Sequence, residues 1–90
     1  MSRLEPRAET PTITIAVTFF ADLRRFLPRG ADGPQRYRVP EGARVTDLLA
    51  TIGIAAETDL TVAVDGELAD REMRLHEGAD VMLLSPMEGG

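Results

Sequence analysis

The stretch "TITIAVTFF", residues 12–20, decides the fold. Isoleucine, valine and phenylalanine occupy its odd positions 13 to 19, and threonine or alanine occupies the even positions 12 to 18. Successive side chains of a β-strand point to opposite faces, so this alternation predicts a strand with one buried face. β-branched and aromatic residues also favour strands. We therefore expect a sheet to form the centre of the domain.

In the segment after this strand, the spacing of the apolar residues changes from alternating to helical. Four apolar residues fall roughly on one helical face: Phe20, Leu23, Phe26 and Leu27. They predict a short helix or helical turn that ends at Pro28, and a loop then follows. The stretch "QRYRV", residues 35–39, alternates again. The two strands are therefore predicted to pair as a wide antiparallel hairpin.

The stretch "PEGARVTDLLATIGI", residues 40–54, has the clearest helical pattern. Its apolar stripe, at spacing i, i+3, i+4 and i+7, consists of Val45, Leu48, Leu49 and Ile52. Gly53 stands where a helix commonly ends in the left-handed conformation. Arg44 occupies the place of a Ser, Thr or Asp cap, so the predicted start lies within a residue or two of it.

The second half of the chain predicts further strands. "LTVAVDGEL", residues 60–68, alternates and then reaches Asp65-Gly66, a dipeptide typical of tight turns. A short connection with a turn at Gly78 leads to "DVMLLSP", residues 80–86, an apolar strand closed by Pro86. The first and last strands are the most continuously apolar, which favours adjacent central positions and parallel pairing.

This order of elements predicts an α+β fold of the ubiquitin-like, β-grasp kind. We expect a mixed four- to five-stranded sheet with one main amphipathic helix on one face. Residues 12–86 are predicted to form the domain. Residues 1–11, polar and with two prolines, are predicted to be a disordered leader, and residues 87–90 a flexible C-terminal tail.

Composition narrows the class of protein. Ninety residues with 43% hydrophobic and 28% charged content predict one globular domain. A net charge of -5 disfavours a binder of nucleic acid or acidic membranes. Cysteine is absent, and all ten basic residues are arginine, so the chain offers neither a thiol nor a lysine amine. Without a signal peptide or an apolar run of membrane-spanning length, the predicted location is the cytoplasm.

No catalytic constellation is visible in the sequence. The one histidine, His76, lies beside Glu77 in a predicted loop, which is typical of a solvated side chain. The carboxylates of the second half flank predicted turns, where such residues are common. No glycines have phosphate-loop spacing. The sequence thus predicts a protein that is not an enzyme on its own, with no metal and no bound cofactor.

The C-terminal stretch "SPMEGG", residues 85–90, suggests a different chemistry. Glycine has no Cβ atom, so Gly89 and Gly90 could pass through a channel too narrow for other residues. The carboxylate of Gly90 is a poor electrophile, but adenylation by ATP would let a sulfur nucleophile replace AMP and leave a thiocarboxylate. A frayed end is the alternative. Together with an apolar strand running directly into it, the Gly-Gly pair favours a functional tail.

Four stretches resemble the MoaD/ThiS sulfur-carrier family: "VTFFADLRRFL", "VPEGARVTDLLATIGI", "VAVDGEL" and "HEGADVMLLSPMEGG". The resemblance covers residues 13–90. It implies a β-grasp fold and adenylation of Gly90 by an ATP-dependent, MoeB/ThiF-like partner. It also implies that Gly90 carries sulfur as a thiocarboxylate, which is delivered inside a partner enzyme.

The resemblance favours the molybdopterin synthase small subunit, whose larger partner is MoaE-like. The helical turn within residues 21–33 is of the "F-A-x-L-R" kind, and "SPMEGG" looks like a "PP-x-x-GG" ending with Ser85 in place of the first proline. Three alternatives stay open. They are a thiamine-type carrier serving a thiazole synthase, a ubiquitin-like modifier joined through Gly90 to lysines of other proteins, and a β-grasp binding module with an incidental tail.

The last strand also predicts a docking surface. If Val81 and Leu83 face the helix, Met82 and Leu84 face outward beside the tail, and Phe20 has the same outward parity. An exposed apolar patch with flexible methionines would suit docking to more than one enzyme. The predicted partner-binding residues are Phe20, Met82, Leu84, Pro86 and Met87. Two alternatives stay open: a short strand that is buried on both faces, or outward residues that simply pack under the Met87 tail.

Overall fold

A computed structural model describes residues 11–86. In chain order its elements are β1 (Thr12–Phe19), a 3₁₀-helix (Ala21–Phe26), β2 (Gln35–Pro40), α1 (Val45–Ile52), β3 (Thr61–Val64), β4 (Glu67–Ala69) and β5 (Asp80–Leu84). The five strands form one sheet in the order β2-β1-β5-β3-β4. The α+β class with a mixed sheet is thus confirmed. The leader before Pro11 and the tail 87–90 lie outside the described residues.

The strand pairing follows the predicted plan. β1 and β2 form the antiparallel hairpin, and β1 and β5 are parallel neighbours in the interior of the sheet. β5 also pairs antiparallel with β3, in the register Val62↔Leu83 and Val64↔Val81. The side chains of Val17, Val81 and Leu83 are completely buried. Their burial explains why both central strands are so continuously apolar.

The core lies between the inner face of the sheet and α1. It takes alternate residues of β1 and the predicted stripe of the helix, with Val45, Leu48 and Leu49 buried and Ile52 half-buried. Gly53 ends the helix at φ 101°, in the left-handed region, as predicted. None of the helices within residues 11–86 is long and apolar enough to cross a lipid bilayer.

The start of α1 explains the missing cap residue. The helix begins directly after Arg44, and the first free amides of the helix find backbone acceptors elsewhere. The N–H of Val45 donates to the carbonyl of Met73 (2.9 Å), and that of Thr46 donates to the carbonyl of Arg71 (3.0 Å). The bond of Thr46 satisfies a donor that a capping side chain would otherwise serve, and the bond of Val45 satisfies another free amide of the first turn. The connection between β4 and β5 therefore replaces a Ser, Thr or Asp cap.

β4 is the one strand that the predicted order of elements omits. Asp65 and Gly66 have φ angles of 53° and 87°, the doubly left-handed geometry of a two-residue hairpin turn. The turn brings Glu67 opposite Val64 and starts a strand of three residues, to Ala69. A strand of three residues is too short to show an alternating pattern in the sequence. It is recognised only from its pairing with β3.

Candidate functional site

The outer face of the sheet, opposite α1, carries three of the five predicted docking residues, namely Phe20, Met82 and Leu84. Across the strands, Met82 of β5 lies opposite Thr18 of β1 on one side and Ala63 of β3 on the other. Val81 and Leu83 are buried in the core, whereas Met82 and Leu84 are half-buried on the other face. The predicted orientation of the last strand is therefore confirmed.

These residues line an apolar groove, which we call the outer groove. Its volume is about 420 Å³, and its lining consists of Phe20, Ala21, Thr61, Ala63, Leu68, Met82, Leu84 and Ser85. Ala63 lies between Met82 and Leu68 in the strand register, and its small side chain leaves room between theirs. Phe20 is 39% exposed and Leu68 is 70% exposed. Large apolar side chains left this open mark candidate contact surfaces.

The position of Phe20 depends on an unusual piece of backbone. Its N–H donates to the carbonyl of Leu83 (3.0 Å), which extends the contact of β1 with β5 by one residue. Ala21 then adopts φ 53°, a left-handed conformation that costs a non-glycine residue about 1–2 kcal/mol. The 3₁₀-helix that follows is anchored by Leu23, which is 2% exposed. The buried anchor thus keeps Phe20 at the rim of the outer groove.

The structure brings together only part of the predicted site. Phe20, Met82 and Leu84 share the outer groove, whereas Pro86 is exposed and does not line it. Met87, Gly89 and Gly90 lie outside the described residues. Sequence reasoning missed Leu68, which reaches the groove from β4. The Asp-Gly turn was the available signal, because a two-residue turn fixes the register that places Leu68 opposite Ala63.

His76 belongs to a small polar network at one end of the sheet. Its Nε2 lies 2.6 Å from Oδ2 of Asp65, and its Nδ1 lies 2.9 Å from the carbonyl oxygen of Glu77. Oδ1 of Asp65 accepts the N–H of Asp80 (3.0 Å), and the N–H of Asp65 donates to the carbonyl of Asp80 (2.8 Å). The network ties the β3–β4 turn to the start of β5. His76 is exposed as predicted, yet it is ion-paired rather than simply solvated.

The hydrogen bonds of this network shift both titrating groups. The bond to Asp65 raises the pKa of His76 above its ordinary 6.5, and the bond to Glu77 adds to the rise. The same bond to His76 lowers the pKa of Asp65 below its ordinary 3.8, helped by the N–H of Asp80. Both shifts favour the imidazolium–carboxylate pair over the neutral forms of the two groups.

The family of the chain is shown by comparison with known proteins. The model of the ThiS family matches residues 17–90. The chain belongs to the ThiS family. No curated protein matches it. The family consists of small sulfur-carrier and ubiquitin-like proteins, so the predicted resemblance to MoaD/ThiS carriers is confirmed.

Solved structures show the same fold as this ThiS-family chain. A protein of Pyrococcus furiosus assigned as molybdopterin converting factor subunit 1 is 27% identical, with a TM-score of 0.66 over 83% of this chain and 99% of that one. The thiamine biosynthesis protein ThiS of Geobacter metallireducens is 24% identical, with a TM-score of 0.52 and the same two coverages, 83% and 99%. Small archaeal modifier protein 1 of Haloferax volcanii is 19% identical, with a TM-score of 0.67 over 83% and 99%. The predicted β-grasp fold is thereby confirmed.

The described part of this ThiS-family protein contains no recognisable active site. Among residues 11–86, no three histidine, aspartate or glutamate side chains lie close enough together to hold a metal ion. His76 hydrogen-bonds there only to oxygen atoms of Asp65 and Glu77, so it does not accept a proton from a serine or threonine hydroxyl.

We expect the His76–Asp65 pair to stabilise this ThiS-family domain only within a pH window. The stabilisation is fully present below pH 6.5, the ordinary pKa of histidine, and is lost as the pH rises through the raised value. On the acid side it is present above pH 3.8 and is lost as the pH falls through the lowered pKa of Asp65. His76→Ala should therefore lower the melting temperature at pH 5 to 6 by more than at pH 9.

The test compares melting curves of the wild type and His76→Ala across pH. The effect should be small at every pH, because both side chains are exposed. An NMR titration of the imidazole reports the pKa of His76 directly. A difference in melting temperature that is the same at pH 5 and pH 9 would show that the ion pair is not responsible.

Proposed function

We propose that this protein is a sulfur carrier whose working atom is the carboxyl carbon of Gly90. The observation that carries the proposal is the family match, which covers residues 17–90 and so includes Gly90. The outer groove adds support, because it places an apolar surface beside β5, the strand that leads toward Gly90. In this proposal the chain is a substrate protein, and a partner enzyme supplies the active site.

The proposed chemistry proceeds in two steps. A carboxylate oxygen of Gly90 attacks the α-phosphorus of ATP in the partner's site, which releases pyrophosphate and forms an acyl adenylate. Hydrosulfide, HS⁻, then attacks the carbonyl carbon; the new C–S bond replaces the C–O bond to AMP, the S–H proton passes to water, and Gly90 is left as the thiocarboxylate. Because Gly89 and Gly90 lack side chains, both residues fit a narrow channel around the reacting carbon.

In this proposal the sulfur serves molybdopterin synthesis, with this chain as the small subunit of the synthase. Two observations favour this branch over thiazole synthesis. The Pyrococcus furiosus protein is 27% identical and has a TM-score of 0.66, against 24% and 0.52 for ThiS of Geobacter metallireducens. The 3₁₀-helix Ala21–Phe26 also matches the helical turn expected for a molybdopterin synthase small subunit. A thiamine-type carrier and a protein modifier remain the competing functions in the test below.

The outer groove is the proposed docking surface for both partners, an adenylating MoeB/ThiF-like enzyme and a larger MoaE-like subunit. Phe20, Met82 and Leu84 would be buried in the complex, and apolar burial contributes about 25 cal/mol per Å². Pro86 and Met87 follow the groove along the chain and are proposed to contact the partner as well. Gly90 lies six positions after Leu84 in the sequence, so its reacting carbon is at most about 22 Å from Leu84.

The decisive experiment is reconstitution with the adenylating enzyme of the same host. The purified chain is incubated with this enzyme, ATP and a sulfur donor, and its intact mass is measured before and after digestion. Exchange of one oxygen for one sulfur at Gly90 supports the carrier. Amide adducts on lysines of other proteins would instead identify a modifier, and an unchanged mass would leave only a binding module.

The branch is tested with the sulfur-loaded chain. It is mixed in parallel with a molybdopterin synthase large subunit and its pterin precursor, and with a thiazole synthase and its substrates. We expect loss of sulfur from Gly90 only in the first mixture. Sulfur transfer only in the second mixture would assign the chain to thiazole synthesis.

If the outer groove is the docking surface, a charge introduced into it should strongly weaken binding to the adenylating enzyme. Met82→Asp should raise the KM of the adenylating enzyme for this chain by about tenfold or more, because the complex would bury an unpaired carboxylate. Thr12→Asp is the matched control, since Thr12 is exposed at the far end of β1 and does not line the groove. KM and kcat are measured by pyrophosphate release, with melting curves to verify folding. Equal KM values for the two variants would exclude the groove as the docking surface.

A further inference from the structure

An activated Gly90, as required by the proposed function on which this inference rests, would react with any nucleophile that reaches it. Acyl adenylates are attacked by amines, thiolates and neutral imidazoles, the activated nucleophiles that proteins use. At high concentration another copy of the same chain would offer such groups close to each activated tail. The nucleophilic groups that one copy exposes therefore determine whether it reacts with the activated tail of another copy.

The two most reactive classes of side chain are missing from the sequence. The 90 residues contain no cysteine, and all ten basic residues are arginine. A lysine amine has a lone pair whenever it loses a proton, whereas the arginine guanidinium stays protonated in proteins and donates only hydrogen bonds. The basic surface of this chain is consequently positive without being nucleophilic.

The one imidazole is blocked by its hydrogen bonds. Nε2 of His76 lies 2.6 Å from a carboxylate oxygen of Asp65, and Nδ1 lies 2.9 Å from the carbonyl oxygen of Glu77. Both neighbours are acceptors, so the form of His76 that makes both bonds carries a proton on each ring nitrogen, and the raised pKa of His76 favours that form. An imidazolium with two N–H groups has no lone pair with which to attack an acyl carbon.

The other candidate nucleophiles are the phenol of Tyr37 and the hydroxyls of serine and threonine. Partial burial raises the pKa of Tyr37, which keeps its phenol protonated and poorly nucleophilic. Serine and threonine hydroxyls need an adjacent base to attack. Within residues 11–86, the imidazole that could act as such a base is the blocked one.

We infer that the side chains of this protein form no amides with its own activated C terminus, so that activated copies are not joined to one another through side chains. Activated Gly90 is then preserved for the sulfur donor or for an acceptor on a different protein. An adduct that forms on such an acceptor is not extended through a side chain of this protein, because the chain offers no lysine amine.

The test supplies the missing lysines. Arg29→Lys/Arg74→Lys keeps the charge and places two amines at exposed positions outside the outer groove. The wild type and this variant are each incubated at high concentration with the adenylating enzyme and ATP, without a sulfur donor. Intact mass spectrometry then detects the acyl adenylate and any amide that joins two chains. A small primary amine is added to a second wild-type sample to capture the activated glycine.

We expect the adenylate without a side-chain amide between two wild-type chains, and an amide between Gly90 and an introduced lysine in the variant. Digestion locates any amide, and one on a side chain of the wild type would overturn the inference while leaving the adenylation of Gly90 in place. A variant that stays unjoined, although the small amine captures the wild type, would show that missing lysines do not protect the chain. Absence of any adenylate would overturn the inference together with the proposed function.

Discussion

Deletion of Gly90 is expected to abolish sulfur loading while leaving the melting temperature of the domain unchanged. The buried apolar core of the described residues extends from Ile13 to Leu83, so no buried side chain of this core belongs to the tail. The deletion moves the terminal carboxyl back by one residue, up to about 3.5 Å along an extended chain. Because a misplacement of about 1 Å can cost 10²-fold in rate, the shortened tail should not react measurably.

A substitution at Gly90 separates the effect of tail length from the effect of the width of the last residue. Gly90→Ala keeps the carboxyl at its place along the chain but adds a Cβ atom, so it tests the narrow channel alone. Removal of residues 1–10 is the matched deletion control, and we expect it to leave loading intact. ATP–pyrophosphate exchange and intact mass report the reaction, and thermal unfolding reports the fold. Normal loading of the shortened chain would refute Gly90 as the working residue and, with it, the carrier proposal.

Most of the fold could be predicted because the local hydrophobic patterns agree with the way the sheet packs against the helix. The alternation of β1 and the spacing of the α1 stripe each indicate one buried face, and both faces meet in one core. The cap of α1 could not be predicted in this way. Its acceptors are the carbonyls of Arg71 and Met73, more than twenty residues away, and no local pattern at Arg44 announces them.

Part of the candidate site could be predicted because side chains alternate between the two faces of a strand. Met82 and Leu84 follow from the burial of Val81 and Leu83, since neighbouring residues of a strand face opposite ways. Leu68 and the His76–Asp65 pair depend instead on how β3 registers with β4 and β5. That register brings residues eleven positions apart within 2.6 Å of each other. Sequence periodicity alone does not contain this information.

Adjacent leucines of β5 should respond to the same substitution in opposite ways. Leu83 is completely buried between β1 and β3, whereas Leu84 is half-buried and lines the outer groove. Leu83→Ala should lower the free energy of unfolding by about 2–5 kcal/mol, through lost burial and a residual cavity. Against a total of about 5–15 kcal/mol for a small domain, this is a large loss. Chemical denaturation of both variants measures it.

Leu84→Ala should cost much less stability, because its side chain leaves a surface that is already open. It should instead weaken docking, seen as a higher KM for the adenylating enzyme, while Leu83→Ala should bind normally at temperatures where it stays folded. This reversal is the signature of a sheet with one face for the core and one for a partner. If Leu84→Ala destabilised the domain as much as Leu83→Ala, both faces would contribute equally to stability. The outer groove would then be part of the core and could not serve as a docking surface.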